Sequence, residues 1–332
     1  FGKSRTWAAA RGLLCLRAMK QMVPLLMVLA GCDIEVLDCI DLGGGCEEPA
    51  LTLYGPRGAD NRNTEGVAID GAYQLQVDGG MGDNLEVALA MRDVGDDLLR
   101  HDGVTLSRGG PCWPGFLRMH EPYRGPYGEL TRGGTFVEGE KEAAALEFCA
   151  TRGLRLNFIG AGYRDHDEFL DRAEALARRV PIAERGWILQ HVLFLTERAA
   201  RRYAALGMRV TTSMSFCWGD LFVERVGEHV LPDLIPLRRM LDARLVVGCG
   251  SDWGPKNVFE HVALAETHAF AGSGRRNDGP AQRVTRQEAL LMWTRDAARA
   301  LGWDGIGTLS PGSHADLIVV DRDPSRCALD DL

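Results

Sequence analysis

This 332-residue chain is short of positive charge. Its 38 Lys and Arg stand against 46 Asp and Glu, a net charge of −8. That balance builds no basic face, which argues against nucleic acid as a partner. Nine cysteines are present, but no Cys-x-x-Cys pair. An odd count without paired spacing fits the reduced thiols of a cytosol better than a disulfide framework. No apolar run is long enough to span a bilayer, so no transmembrane segment is expected. The glycine-rich stretches lack both G-x-G-x-x-G and a Walker lysine, which leaves no nucleotide signature. No Gly-x-Ser-x-Gly elbow is present, which argues against a serine hydrolase. Internal repeats and low-complexity tracts are absent too.

What remains is an ordinary globular composition, 45% hydrophobic and 25% charged. From about residue 150 onward, apolar strand-like runs alternate with amphipathic helical ones. Strands are expected at 154–159, 187–191, 208–214 and 244–250. Helices are expected at 167–179, 196–206, 234–241 and 259–270. In the first of these helices Phe169, Leu170, Ala173, Leu176 and Ala177 share one face. Thr285-Arg286-Gln287-Glu288 is a capping box that opens one helix reaching Leu301, with Gly302 beyond it. Strands spaced by a helix each mean a parallel sheet, so the fold class is α/β. Before residue 150 the pattern weakens. The stretch 71–78 reads as a strand before a glycine-rich turn, while 41–66 and 95–135 read as long loops.

The chain opens on Phe1 rather than Met, as a piece of a longer chain would. Further in, Met19 and Lys20 precede a short apolar run that ends in Leu29-Ala30-Gly31-Cys32. That is the layout of a lipoprotein cleavage box, although 18 residues precede Met19. The preferred reading is a buried element in a cytoplasmic protein. A lipoprotein anchored at Cys32 is the alternative.

The most informative runs lie near the C-terminus. Val247-Gly248-Cys249-Gly250-Ser251-Asp252-Trp253-Gly254-Pro255 is an apolar strand that ends in an aspartate at a glycine-rich mouth. Side chains at the carboxyl ends of parallel strands face the active site of α/β barrels. Gly305-Ile306-Gly307-Thr308-Leu309 and Ser313-His314-Ala315-Asp316-Leu317-Ile318-Val319-Val320-Asp321 form a turn leading into an apolar strand. Together these runs resemble the C-terminal signature of the amidohydrolase superfamily, specifically the family-3 (YtcJ-like) metal-dependent hydrolases. The resemblance implies a (β/α)-barrel, present only in part, with a C-terminal strand returning to a small β-sandwich. The expected domain boundaries are an unassigned 1–64, later barrel strands over 65–305, and a sandwich segment over 306–332.

It also implies the chemistry. One divalent metal, zinc by preference, would polarise a scissile carbonyl and activate a water. Asp252 matches the strand-8 aspartate, a metal ligand and proton acceptor, and His191 matches the strand-6 histidine, a metal ligand or substrate-orienting group. Trp218 and Trp253, just after strand ends, and Asn157 are the candidate substrate contacts. Glu121-Pro122-Tyr123 resembles a substrate-contacting loop. The expected activity is hydrolysis of a carbon–nitrogen bond, an amide or cyclic amide, in a small molecule, with a homo-oligomer left open.

Departures from the family pattern are specific. No His-x-His occurs anywhere. Gln74 stands where the family often has a carboxylatable lysine, and Asn157 where it has a metal-binding histidine. These departures keep three alternatives open. They are an inactive homologue that binds a small ligand or protein without turnover, a metal-independent isomerase or esterase, and a non-functional fragment of a longer enzyme. His261 and His268, seven apart on one helix, are expected to serve packing or the surface.

Overall fold

The computed structural model describes residues 50–54, 74–78, 81–92, 94–96, 100–109, 115–217, 220–252, 254–255, 257–270 and 272–332. Contacts divide the chain into two units, Phe1–Val87 and Ala88–Leu332. In the first, β1 (Ala50–Tyr54) and β2 (Gln74–Asp78) pair antiparallel, with Tyr54 opposite Gln74. Helix α1 (Met81–Ala90) follows and runs across the division. Gln74 therefore belongs to a two-stranded antiparallel ribbon, not to a strand of the parallel sheet as the resemblance implied.

The second unit is built on a five-stranded parallel sheet. Its strands are β3 (Gly103–Ser107), β6 (Arg155–Ile159), β7 (Ile188–Gln190), β8 (Arg209–Thr212) and β9 (Val247–Cys249). They lie in chain order, each parallel to the next. That is the succession of a barrel wall, and among the described residues it stays open at β3 and β9. A small antiparallel pair, β4 (Tyr123–Arg124) and β5 (Leu130–Thr131), decorates the connection after β3.

One face of the sheet is covered by helices. Helices α2 (Gly139–Arg152) and α3 (Tyr163–Ala177) flank β6 in sequence and pack beside it. Leu156 and Phe158 are fully buried, and the Phe158 ring stacks on Phe169 of α3 at 3.9 Å. The helical face expected for α3 is right: Phe169, Leu170, Ala173 and Leu176 are buried. Arg155, Asn157 and Ile159 point the other way and are partly exposed, as the two-residue strand period requires.

The remaining helices are α4 (Glu197–Ala205), α5 (Leu221–Val226), α6 (Leu237–Asp242), α7 (Val258–Thr267), α8 (Arg286–Met292) and α9 (Arg295–Leu301). The capping box at Thr285 and Glu288 forms as expected. The helix it opens does not run to Leu301. Thr294 adopts φ −125° and ψ −100°, outside the helical region, and splits it into α8 and α9. The break lets α9 lie against β9. A Cβ at Gly248 would sit 3.0 Å from the Ala297 Cα, so only glycine permits this approach. Gly248 pairs with Thr211, which places α9 on the sheet face opposite Phe158. Arg155 donates to the Leu301 carbonyl, and Arg209 to the Ala300 carbonyl at 3.4 Å. These cations meet the negative end of α9.

Two expectations are corrected. The stretch 95–135, read as loop, contains β3, β4 and β5. And residues 315–320 form no strand: Leu317, Ile318, Val319 and Val320 are 63%, 79%, 100% and 40% exposed. A strand needs a ladder partner, and this run pairs with none of the described strands.

A buried ionic cluster fastens the connection after β3 to the helices. Arg108 is fully buried, with Glu142 at 3.3 Å, Asp165 at 3.6 Å and Glu168 in direct contact. Arg118 grips Glu168 through two bonds of 2.7 and 2.9 Å. Tyr123 anchors the same loop, its hydroxyl accepting from the backbone N–H groups of Gly115 and Leu117.

Candidate active site

The carboxyl ends of β7, β8 and β9 converge on one mouth. His191 directly follows β7, and its Nε2 lies 3.4 Å from Asp252 Oδ2, three residues beyond β9. Thus the two catalytic candidates, 61 positions apart in sequence, meet in space. Both adopt left-handed backbone, His191 at φ 53° and Asp252 at φ 50°. That conformation is uncommon outside glycine, costs on the order of 1–3 kcal/mol for each residue, and concentrates at functional sites.

The strained residues are held by their neighbours. The Thr212 hydroxyl donates to the carbonyl of Val192, the residue after His191, at 2.9 Å. The Ser215 hydroxyl donates to the carbonyl of Ser251, the residue before Asp252, at 2.7 Å, and the Ser213 hydroxyl, in direct contact with that of Ser215, lies 3.2 Å from the same oxygen. The backbone N–H of Gly250 donates to the Thr212 carbonyl at 3.0 Å. Sequence reading missed these three hydroxyl residues entirely.

Asn157, the third candidate in the described chain, reaches the site through an amide relay. Its Nδ2 donates to Thr105 Oγ1 at 3.2 Å and to Gln190 Oε1, and Gln190 Nε2 lies 3.4 Å from His191 Nε2. Phe216 holds the His191 ring edge-on, 6.1 Å between centroids. Trp218 and Trp253 lie outside the described residues, as does Cys32.

A cavity of about 360 Å³ opens beside the pair. Gln190, His191, Ser213 and Asp252 form its polar side, and Ala297 and Leu301 of α9 contribute apolar surface. Burial pushes the His191 imidazole below its ordinary pKa, against the opposing pull of the Asp252 carboxylate. Below-normal basicity favours a neutral ring with a lone pair to offer.

The pair suits a divalent metal as two of its donors. Zinc ligands sit about 2.0–2.1 Å from the ion, so neighbouring corners of a tetrahedron stand roughly 3.3–3.4 Å apart. The observed 3.4 Å matches that edge and is long for a direct hydrogen bond. Among the described residues no group of three or more His, Cys, Asp and Glu side chains converges. A catalytic zinc site usually takes three protein ligands, one more than this pair.

The other histidines do structural work. His261 is buried and bonds the Pro255 carbonyl at 2.8 Å, and His268 bonds the Ile235 carbonyl at 3.1 Å. A second cavity of about 260 Å³ is lined by His120, Tyr163, Asp167 and Asp233. Its carboxylates are already matched: Asp167 by His120 at 3.1 Å, Asp233 by Tyr163 at 3.0 Å and by Arg239.

An open parallel α/β wall carries a histidine after β7 and an aspartate after β9, either side of β8. The chain belongs to the amidohydrolase family, whose model matches residues 77–331. It is 33% identical to an N-substituted formamide deformylase of Arthrobacter pascens over 191 residues, 54% of this chain and 34% of that one. A 5-methylthioadenosine/S-adenosylhomocysteine deaminase of Moorella thermoacetica is 40% identical over 88 residues, 26% of this chain and 20% of that one. Among solved structures, an uncharacterized metal-dependent hydrolase from Pyrococcus horikoshii shares the fold with a TM-score of 0.63 at 24% identity. The match covers 75% of this chain and 50% of that one. Its counterpart from Pyrococcus furiosus gives 0.61 at 24% identity, over 74% and 49%. The chain thus spans about a third of the deformylase and half of these solved structures.

Proposed function

We propose that this chain carries the later half of an amidohydrolase site that hydrolyses a carbon–nitrogen bond in a small amide. The observation that carries the reading is the His191–Asp252 pair, 3.4 Å apart at the mouth of a cavity of about 360 Å³. Membership of the amidohydrolase family and similarity to a formamide deformylase support an amide substrate.

A divalent metal, zinc by preference, would be held by His191 Nε2 and Asp252 Oδ2 and would supply Lewis acidity toward the carbonyl oxygen. Asp252 accepts the proton of the attacking water at a carboxylate oxygen and passes it to the leaving nitrogen. His191, kept neutral by burial, fixes the reacting centre against Asp252. Gln190 borders the cavity, and the Asn157 amide behind it holds its side chain in place. Leu301 and Ala297 give the apolar wall against which an N-substituent packs. The described cysteines, 149, 217, 249 and 327, are all free, which supports a cytoplasmic location.

Metal content of the purified chain, measured by elemental mass spectrometry beside Asp252→Asn, tests the reading. About one equivalent in the parent chain, falling sharply in the variant, is the expected result. No metal in folded protein would sink it. A second reading, a ligand-binding homologue without turnover, is favoured by Asn157 at a ligand position and by the incomplete donor set. It expects small amides to bind equally to the parent chain and to Asp252→Asn.

A further inference from the structure

We propose that the carboxyl end of β8 is a hydroxyl clamp: Thr212, Ser213 and Ser215 are positioning residues that set the spacing between His191 and Asp252. The proposal rests on the reading of that pair as the reactive centre.

The argument begins with strand order. β8 lies between β7 and β9, so its end stands between the segments that carry the two groups. Neither His191 nor Asp252 continues its strand; each leaves it through a left-handed residue. A backbone in that conformation relaxes unless its flanking peptides are held. Ser213 and Ser215 hold the Ser251–Asp252 peptide that flanks Asp252, while Thr212 holds the Val192 carbonyl one peptide beyond the His191–Val192 bond, whose N–H donates to the Thr211 carbonyl at 3.4 Å. Thr212 takes the carbonyl of Val192 at 2.9 Å, and Ser215 takes that of Ser251 at 2.7 Å, with the Ser213 hydroxyl 3.2 Å from the same oxygen.

The clamp is itself immobilised. Thr212, Ser213 and Ser215 are 3%, 2% and 0% exposed, so water does not compete for their bonds. The Ser215 backbone N–H donates to Ser213 Oγ at 3.1 Å, which ties the two serines together. Gly254 closes over Ser215 so tightly that a Cβ would fall 2.5 Å from the Ser215 Cβ. The N–H of Gly254 also reaches the Ser251 carbonyl, at 3.1 Å. The Ser215 hydroxyl and the Gly254 N–H therefore converge on one peptide oxygen beside Asp252, with the Ser213 hydroxyl braced against that of Ser215. A carbonyl so held fixes the orientation of its peptide plane, and with it the direction of the Asp252 side chain. None of the three hydroxyl residues bonds to the His191 or Asp252 side chain, so their effect passes through the backbone.

The test compares Thr212→Val, Ser213→Ala and Ser215→Ala with Thr212→Ser, which keeps the hydroxyl. Two readouts are taken on the full chain: zinc affinity by competition titration, and the amide NMR resonances of His191 and Asp252 without metal. The expected result is a loss of about tenfold or more in zinc affinity for the variants that lose a hydroxyl, in the range typical of groups that orient metal ligands. Their His191 or Asp252 amides shift, and Thr212→Ser behaves like the parent chain. If Ser215→Ala unfolds, Thr212→Val and Ser213→Ala carry the test, since Thr212→Val removes one bond, Ser213→Ala removes the contacts of one hydroxyl, and both leave the Gly254 contact intact. Variants that stay folded with both amides unmoved overturn the clamp, whatever zinc does. Shifted amides in a parent chain that binds no zinc leave the clamp standing and reject the metal-site reading instead.

Discussion

A guanidinium sealed from water has to be matched charge for charge. Arg108 is fully buried among Glu142, Asp165 and Glu168, and Arg118 shares two of those carboxylates. Burial pushes the Asp165 carboxyl up to about 6, with Arg108 and Arg118 pulling the other way, and Glu142 is likewise raised mainly by burial. Arg108→Met fills similar volume but takes the fully buried cation from Glu142 and Asp165, leaving them Arg172 and Arg118 at 3.4 and 3.7 Å. It is expected to cost about 3–5 kcal/mol in denaturant-monitored unfolding, the usual penalty for breaking a buried ion pair from one side. Removing Arg179, whose partner Glu147 is exposed, is expected to leave the unfolding midpoint nearly unchanged. At this scale the sequence was half legible. His191 and Asp252 stood out because each ends an apolar run, where a polar residue needs a reason. Thr212, Ser213 and Ser215 did not, because their partners lie 20, 38 and 36 residues away and hydroxyl residues are common everywhere.

Elements reveal how local pattern and packing share control. β6, β7, β8 and β9 were readable because each is an apolar run between helices of clear period. β3 was not: Gly-Val-Thr-Leu-Ser is short, carries one buried leucine, and sits among charged and glycine-rich neighbours. The α8–α9 break was hidden for another reason, since Thr294 violates no helical pattern and the kink answers to Gly248 across the interface. Phe158→Ala, which removes the ring stacked on Phe169, is expected to lower stability by about 3–5 kcal/mol in equilibrium unfolding. Acid sensitivity also belongs to the elements. Burial holds His166 on α3 and His268 at the end of α7 down to about 4. Unfolded imidazoles charge near pH 6.5. Between pH 6.5 and about 4 the unfolded chain therefore takes up protons that the folded one refuses, and stability present above 6.5 is lost. Asp165 works in the opposite sense, since its folded carboxyl binds a proton near 6 and its unfolded one near 3.8. Burial also lowers His101 and His191, so four imidazoles oppose the two raised carboxyls of Asp165 and Glu142, and the thermal midpoint falls across this window. His166→Phe is expected to flatten that slope in scans at stepped pH, even though it loses the bond to Tyr203.

For the molecule as a whole, the parallel wall is open. Among the described residues β3 and β9 each have one neighbour, and the exposed apolar run at 317–320 has no ladder to join. Unpaired edges and contiguous apolar surface promote association. Sedimentation velocity is expected to show concentration-dependent self-association that Val319→Lys, at a fully exposed position, reduces. The missing methyl at Gly248 bears on what the enzyme would accept as cargo. Because α9 rests directly on that bare backbone, Ala297 and Leu301 stand close enough to the sheet to wall the cavity. A methyl at 248 would press on Ala297 and Ala300 of α9 at 3.0 and 3.2 Å, so the helix would have to give way slightly. On the proposed reading, the width of the cavity mouth is set by a bare stretch of backbone in its own lining rather than by either of the reacting groups.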